Sequence, residues 1–253
     1  MVRLGLIFLG ALAGLEVGCA KGMANDGGEV DDSGGDDDGD NTGDDIGIPD
    51  AGGGGLPDGG HVDPPDAGGG GGGPVTVTHS SSMGLEAGTG ISCTSDVGNA
   101  RNSWYRVFDL PAMGITGALE VSKVTIGIQE ADGDGDDLQP LTVKLHRLQG
   151  AFVTANLSEL GRTKIDVQDG SLQIIEVPLT ASVPAGTTLV AEMMVPNGQG
   201  LFDGDFLFPG ANNDGQTGPT WVRSECGSNQ PEDAAAIGFP DFHLVLSVDA
   251  IED

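Results

Sequence analysis

Leu141-Thr142-Val143-Lys144-Leu145-His146 places an apolar side chain at every second position. Successive side chains of an extended chain point to opposite faces, so this stretch reads as a strand with one buried and one polar face. The pattern recurs on both sides of it. Val124, Ile126 and Ile128 alternate with Thr125, Gly127 and Gln129. Phe242, Leu244, Leu246 and Val248 alternate with His243, Val245, Ser247 and Asp249. Ile174 to Leu179 and Thr187 to Val195 are two more strand candidates, the second more continuously apolar. Turn residues separate these runs: Asp169-Gly170, Pro184-Ala185-Gly186, Pro196-Asn197-Gly198 and Asp214-Gly215. Residues 157–161 hold at most one helical turn, and no internal repeat has a solenoid or propeller period. The expectation is an all-β domain of eight to ten short strands over 75–253, folded as an antiparallel, jelly-roll-like β-sandwich.

Upstream the composition changes. Residues 22–74 hold 20 Gly, 13 Asp and Glu29, with no Lys or Arg. Clusters such as Asp36-Asp37-Asp38 and the run Gly68 to Gly73 supply no apolar surface to offset ordering entropy. The segment 19–74 therefore reads as a disordered, charge-extended tether, a spacer in preference to a weak Ca²⁺-buffering tail. Residues 75–253 carry 24 acidic and 8 basic side chains, a net of −16. That charge argues against nucleic acid, whose phosphates need Lys and Arg, and against electrostatic docking on anionic lipid. It is compatible with divalent cations and basic partners.

The first residues have the shape of an export signal, expected over 1–18. Met1-Val2-Arg3 is a short positive start, and Leu4 to Leu15 is an apolar run of twelve residues. A span of the bilayer core needs about 20. The run closes on Leu15-Glu16-Val17-Gly18-Cys19, which resembles the bacterial lipobox. That resemblance implies cleavage before Cys19 and its acylation by palmitate-like chains, with the lipid bilayer as partner. The sequence departs from the pattern at Glu16, where the common motif has Leu. Multiple acyl chains anchor stably where one does not. Ala20 follows the Cys in place of the Asp that retains such proteins at the inner membrane, which implies the outer membrane or cell surface. With Cys19 lipidated, Cys93 and Cys226 are left as a pair, and a disulfide between them suits an oxidising envelope. Two separate free thiols are the alternative.

The chain carries no familiar catalytic pattern. His61, His79, His146 and His243 occupy no H-E-x-x-H motif. His146 and His243 fall on the polar phase of their strands and read as surface residues. Gly-x-Ser-x-Gly does not occur, and no glycine-rich loop feeds a helix. Paired carboxylates are abundant, yet large amphipathic aromatics that could line a sugar cleft are few. Asp132, Asp134 and Asp136 sit at alternate positions and could hold a Ca²⁺ ion through oxygen ligands, with Asp203 and Asp205 joining if the loops meet. The run fails the EF-hand pattern at Asp137 and Val143, so a solvated hairpin loop is the plainer reading. Trp104, Tyr105 and Trp221 are candidates for sugar stacking, although Trp104 and Tyr105 are adjacent and point to opposite faces, one of them buried.

Three further segments resemble a known module: Asn102-Ser103-Trp104-Tyr105-Arg106-Val107-Phe108-Asp109-Leu110, Gly210-Ala211-Asn212-Asn213-Asp214-Gly215-Gln216-Thr217 and Asp241-Phe242-His243-Leu244-Val245. The module is a jelly-roll-like accessory domain of secreted and surface-attached bacterial proteins, often found beside secreted metalloproteases. The resemblance runs from about Ile91 onward and implies a β-sandwich without catalytic activity of its own. The resulting expectation is a non-enzymatic, surface-anchored lipoprotein displaying a binding or adhesion module. A Ca²⁺-stabilised structural module of an envelope assembly and a hydrolase with an unrecognised site are the alternatives.

Overall fold

The computed structural model describes residues 18–21, 72–95, 97–133, 137–199, 204–227 and 229–253. The expected leader and most of the expected tether lie outside them. In chain order the strands are β1 (Gly18–Lys21), β2 (Pro74–Thr78), β3 (Ile91–Ser95), β4 (Gly98–Asn99), β5 (Asn102–Asp109), β6 (Leu119–Asp132), β7 (Leu138–Leu148) and β8 (Leu157–Gln168). They continue as β9 (Gly170–Val183), β10 (Thr188–Val195), β11 (Phe206–Pro209), β12 (Ala211–Asn212), β13 (Thr220–Ser224), β14 (Glu232–Asp233), β15 (His243–Leu244) and β16 (Leu246–Glu252). No α-helix occurs among the described residues, and none of their elements is a helix able to cross a membrane.

Two antiparallel sheets make the sandwich. One has the order β14-β13-β5-β10-β7-β8. In the other, β6 is central: β9 pairs along one edge, while β16 and β11 share the opposite edge and β2 pairs with β16. The chain steps repeatedly from one sheet to the other, so each crossing adds apolar side chains to a common interior. Trp104, Phe108, Leu141, Val143, Leu145, Leu189, Ala191 and Met193 face it from the first sheet. Val124, Ile126, Ile128, Val177, Leu179, Leu246 and Val248 face it from the second. These are the apolar phases of the alternating runs, and their burial drives the sheets together.

The strand count needs correction. Among the described residues from Pro74 onward there are fifteen strands, β2 to β16, several of them long, with 14 residues in β6 and in β9. The sequence count missed β8 because it is an edge strand: of its twelve residues only Val167 is buried, so little alternation marks it. Residues 157–161 form the start of β8, and the single turn of 3₁₀ helix lies earlier, at Thr154–Asn156, where Gln149 N donates to Asn156 O and closes the β7–β8 loop. The strand at Val124–Ile128 also depends on a close approach. A Cβ on Gly127 would lie 2.6 Å from Leu85 Cδ2, and one on Gly210 would lie 2.6 Å from the Gly127 carbonyl carbon. Bare backbone at both positions lets Gly210 N donate to Gly127 O at 2.8 Å, with Gly127 N donating to Val245 O.

β1 forms a small sheet with β3 and β4, with Cys19 opposite Cys93. Cys93 and Cys226 form a disulfide with a Cα–Cα distance of 5.9 Å, as the cysteine count suggested. It ties β3 to the segment after β13.

Candidate functional site

The face of the β5-β10-β7 sheet turned away from the core holds a buried carboxylate, Glu192. In an antiparallel ladder, directly opposed residues share a face. Tyr105 opposes Glu192, Glu192 opposes Lys144, Trp221 opposes Tyr105, and Arg223 opposes Ser103. All therefore lie on the outer face, as does His146, two residues beyond Lys144. Glu192 is only 3% exposed. His146 Nε2 donates to its Oε2 at 2.8 Å, Lys144 Nζ lies 3.3 Å from the same oxygen, and Arg223 Nη2 lies 3.8 Å from Oε1. Lys144 also reaches Met194 Sδ, and Arg223 donates to Ser103 Oγ. Long side chains thus lie over the buried carboxylate.

Burial by itself would raise the Glu192 pKa. The hydrogen bond from His146, the charge of Lys144 and the hydrogen bond from Ser103 outweigh it and bring the value down to about 2. Glu192 is an anion throughout the physiological range. The same burial, with the Glu192 charge beside it, pushes the Tyr105 phenol up, so Tyr105 stays protonated. Phe152, from the β7–β8 loop, packs edge-on against Tyr105 and Trp221 with ring centroids 5.5 and 5.1 Å away. The loop is held there by Thr154 N donating to Gln230 Oε1. Among the described residues, two buried polar atoms of this face have no hydrogen-bond partner: Nδ1 of His146 and Nε1 of Trp221. In the neutral ring that donates through Nε2, Nδ1 is an acceptor, while the indole nitrogen is a donor.

A second buried charge sits on the core side of β5. Arg106 is fully buried and has no carboxylate among its hydrogen-bond partners. Its guanidinium donates to Leu244 O, through Nε and Nη2, and to Gln216 Oε1 and Gly218 O through Nη1. Burial lowers its pKa to about 9, so it remains cationic at neutral pH. Beside it, His79 donates from Nε2 to Val107 O and accepts at Nδ1 from the Thr217 hydroxyl, and it stacks on Phe108. Burial first, then the Arg106 charge, hold the His79 pKa below its ordinary value. Three stretches far apart in sequence meet here: Arg106 of β5 donates to Gln216, between β12 and β13, and to Leu244 of β15.

The residues singled out from sequence are distributed as follows. Trp104 and Tyr105 are both buried, where one was expected, because the Phe152 loop covers the second face. Trp104 faces the core and donates to Ile91 O at 2.9 Å. Tyr105 and Trp221 share the opposite face, so the three aromatics do not form one platform. His146 is no surface residue: the sheet face it occupies is covered, and it is only 7% exposed. His243 is half-buried and accepts from Gly215 N at Nδ1. Asp132 ends β6 and pairs with Phe206, which brings Asp205 to the same end of the sheet. Asp169 Oδ1 accepts from Gly133 N at 2.7 Å there, and Asp169 N donates to Asp137 O. Asp134, Asp136 and Asp203 lie outside the described residues, and no group of three His, Cys, Asp or Glu poised for a metal occurs among those described. Cys19 contributes backbone pairing to β3.

No family model, curated protein or solved structure matches the chain. Sequence reading missed Glu192, Lys144, His146 and Arg223. The available signal was Glu192 itself, one carboxylate within the apolar run Leu189-Val190-Ala191-Glu192-Met193-Met194-Val195. A buried charge needs partners, and Lys144 and His146 sit together on the polar phase of a strand.

Proposed function

We propose that this chain is a surface-anchored lipoprotein, held in the outer membrane through acylated Cys19, whose β-sandwich is a non-enzymatic binding module. Its recognition face is the outer face of the sheet around Glu192. The observation that carries the reading is the pair of orphaned polar atoms there, His146 Nδ1 and Trp221 Nε1, beside the partly exposed cations Lys144 and Arg223. Native proteins pair nearly all buried polar groups, so two unpaired on one covered face mark a place where a partner is supplied from outside. A catalytic dyad would need a nucleophile on His146. Among the described residues its ring is hydrogen-bonded to Glu192 and to no Ser, Thr or Cys.

Pull-down from cell-envelope fractions with the full-length protein, repeated with Trp221→Ala, tests the reading. A captured component lost in the variant is expected. No capture, or capture that the variant leaves unchanged, removes the recognition face. Cys19→Ala should move the protein out of the membrane fraction, and retention there would refute the anchor.

A second reading is favoured by one observation: the pairing of Phe206 with Asp132 and the Asp169–Gly133 hydrogen bond gather acidic loops at one end of the sandwich. In that reading Asp132, Asp134 and Asp136 bind Ca²⁺ and stabilise the module. Melting the protein in Ca²⁺ and in chelator decides it, because a bound ion raises the midpoint. Equal midpoints would end it.

A further inference from the structure

We propose that the ligand of the outer face is an anionic saccharide, its acidic group held by Lys144 and Arg223 and its ring placed against Trp221. The inference rests on the binding-module reading above.

Charge placement carries the first part. Residues 75–253 contain eight Lys and Arg. Four of them, Lys144, Arg162, Lys164 and Arg223, lie on this one face, because Arg162 opposes Lys144, Lys164 opposes Thr142 and Arg223 opposes Ser103. Asp109, Glu159, Asp166, Glu192 and Asp233 share it, so the face carries a net of −1 and the other −15 lies elsewhere. Repulsion of an anion is therefore weaker here than over the rest of the domain. Two of the five acids are already engaged: Glu159 by Arg162 at 2.6 Å and Glu192 by the buried cluster. In that cluster Lys144 and Arg223 flank one carboxylate. Lys144 and Arg223 keep 14% and 25% of their side-chain surface, so they are largely desolvated and still reachable. A charge-assisted hydrogen bond to a second anion is strongest for cations in that condition.

The unpaired atoms carry the second part. Trp221 Nε1 needs an acceptor, and Nδ1 of a neutral His146 needs a donor. The side-chain carboxylate of an acidic peptide supplies acceptors alone. A sugar ring bearing an acidic group supplies acceptors, hydroxyl donors and an apolar face for the Trp221–Phe152 edge.

The experiment measures binding of full-length protein in detergent to four probes: polygalacturonate, dextran sulfate, neutral dextran and polyglutamate. Binding to polygalacturonate or dextran sulfate is expected, weakening as salt rises from 50 to 200 mM, and the stronger of the two identifies a carboxylated or a sulfated ligand. Arg223→Gln and Lys144→Gln should each weaken it about tenfold or more. Lys123→Gln, on the other sheet, should leave it unchanged, and the melting curve of each variant checks that the fold is intact. Polyglutamate bound as tightly as the anionic glycans would overturn the saccharide in favour of an acidic protein. Dextran bound as well as the charged polymers would overturn the role of charge, with the binding module still standing. Binding to none of the four overturns the proposal, while the envelope pull-down judges the module separately.

Discussion

Replacing Arg106 by Met tests whether one buried cation locks β5, the β12–β13 connection and β15 together. The substitution keeps a long, flexible side chain in a core position and removes the guanidinium. Four donor contacts are lost, to Leu244 O twice, Gln216 Oε1 and Gly218 O. Hydrogen bonds from a charged donor contribute roughly 2 kcal/mol each, about 8 kcal/mol together. Against this, burial lowers the arginine pKa from 12.5 to about 9. At about 1.4 kcal/mol per unit the desolvation cost is roughly 5 kcal/mol, and an apolar side chain escapes it. The net loss is on the order of 3 kcal/mol. Leu244 O retains the Ser80 hydroxyl and Gln216 Oε1 retains that of Thr220, which leaves Gly218 O as the acceptor most exposed to loss. For a domain of this size each kcal/mol moves the midpoint by about 2–4 °C, so a drop of roughly 6–12 °C is expected. Thermal melting followed by near-ultraviolet circular dichroism at pH 7, with the disulfide intact, measures it. A drop under about 2 °C, or a gain, would refute the claim that Arg106 joins the segments.

Three other outcomes follow from the same geometry. Cys226→Ser removes a bridge across 133 residues, and the chain-entropy estimate for such a loop is roughly 5 kcal/mol; a urea midpoint that neither this variant nor a reductant lowers would contradict a stabilising disulfide. Glu192 has a depressed folded pKa, so its contribution is complete above its ordinary value of 4.5 and fades as pH falls toward about 2. It amounts to roughly 3 kcal/mol, and Glu192→Gln should flatten the acid limb of the stability profile; an unchanged limb would count against the cluster. Phe152→Ala uncovers Tyr105 and Trp221, and acrylamide should then quench part of the indole emission while Trp104, in the core, stays protected. Quenching identical to the parent would mean that Phe152 does not cover that face.

The sandwich was legible because period-two alternation is a local signal with a physical cause: one face of each strand must be apolar to be buried. Leu141 to His146 and Val124 to Gln129 carry that signal, and both strands lie where the alternation put them. β8 was illegible because an edge strand has little buried surface to write into its sequence. The outer-face cluster was illegible for another reason. Alternation assigns Lys144 and His146 to the polar phase, and a polar phase is read as solvent-facing. Nothing in β5 or β7 announces that the loop bearing Phe152 folds across them. Covering a sheet on both sides is a tertiary event, and its only local trace was the carboxylate in the apolar run of β10.

The two buried charges on β5 and β10 have opposite characters, and the contrast separates scaffold from site. Arg106 spends its donors on backbone carbonyls and one amide, all fixed by the fold, and its neighbour His79 has both ring nitrogens occupied. Such a centre is closed: it specifies which segments meet and has little left to offer a ligand. The Glu192 cluster is open. Its carboxylate is satisfied, yet the cations that satisfy it retain exposed surface, and His146 Nδ1 and Trp221 Nε1 remain unpaired. Apolar side chains of similar volume would fill the same space at lower desolvation cost, often with a gain in stability. An arrangement that leaves polar atoms unsatisfied under a covering loop is therefore poorly explained by folding stability, and it is the better place to look for what this domain binds.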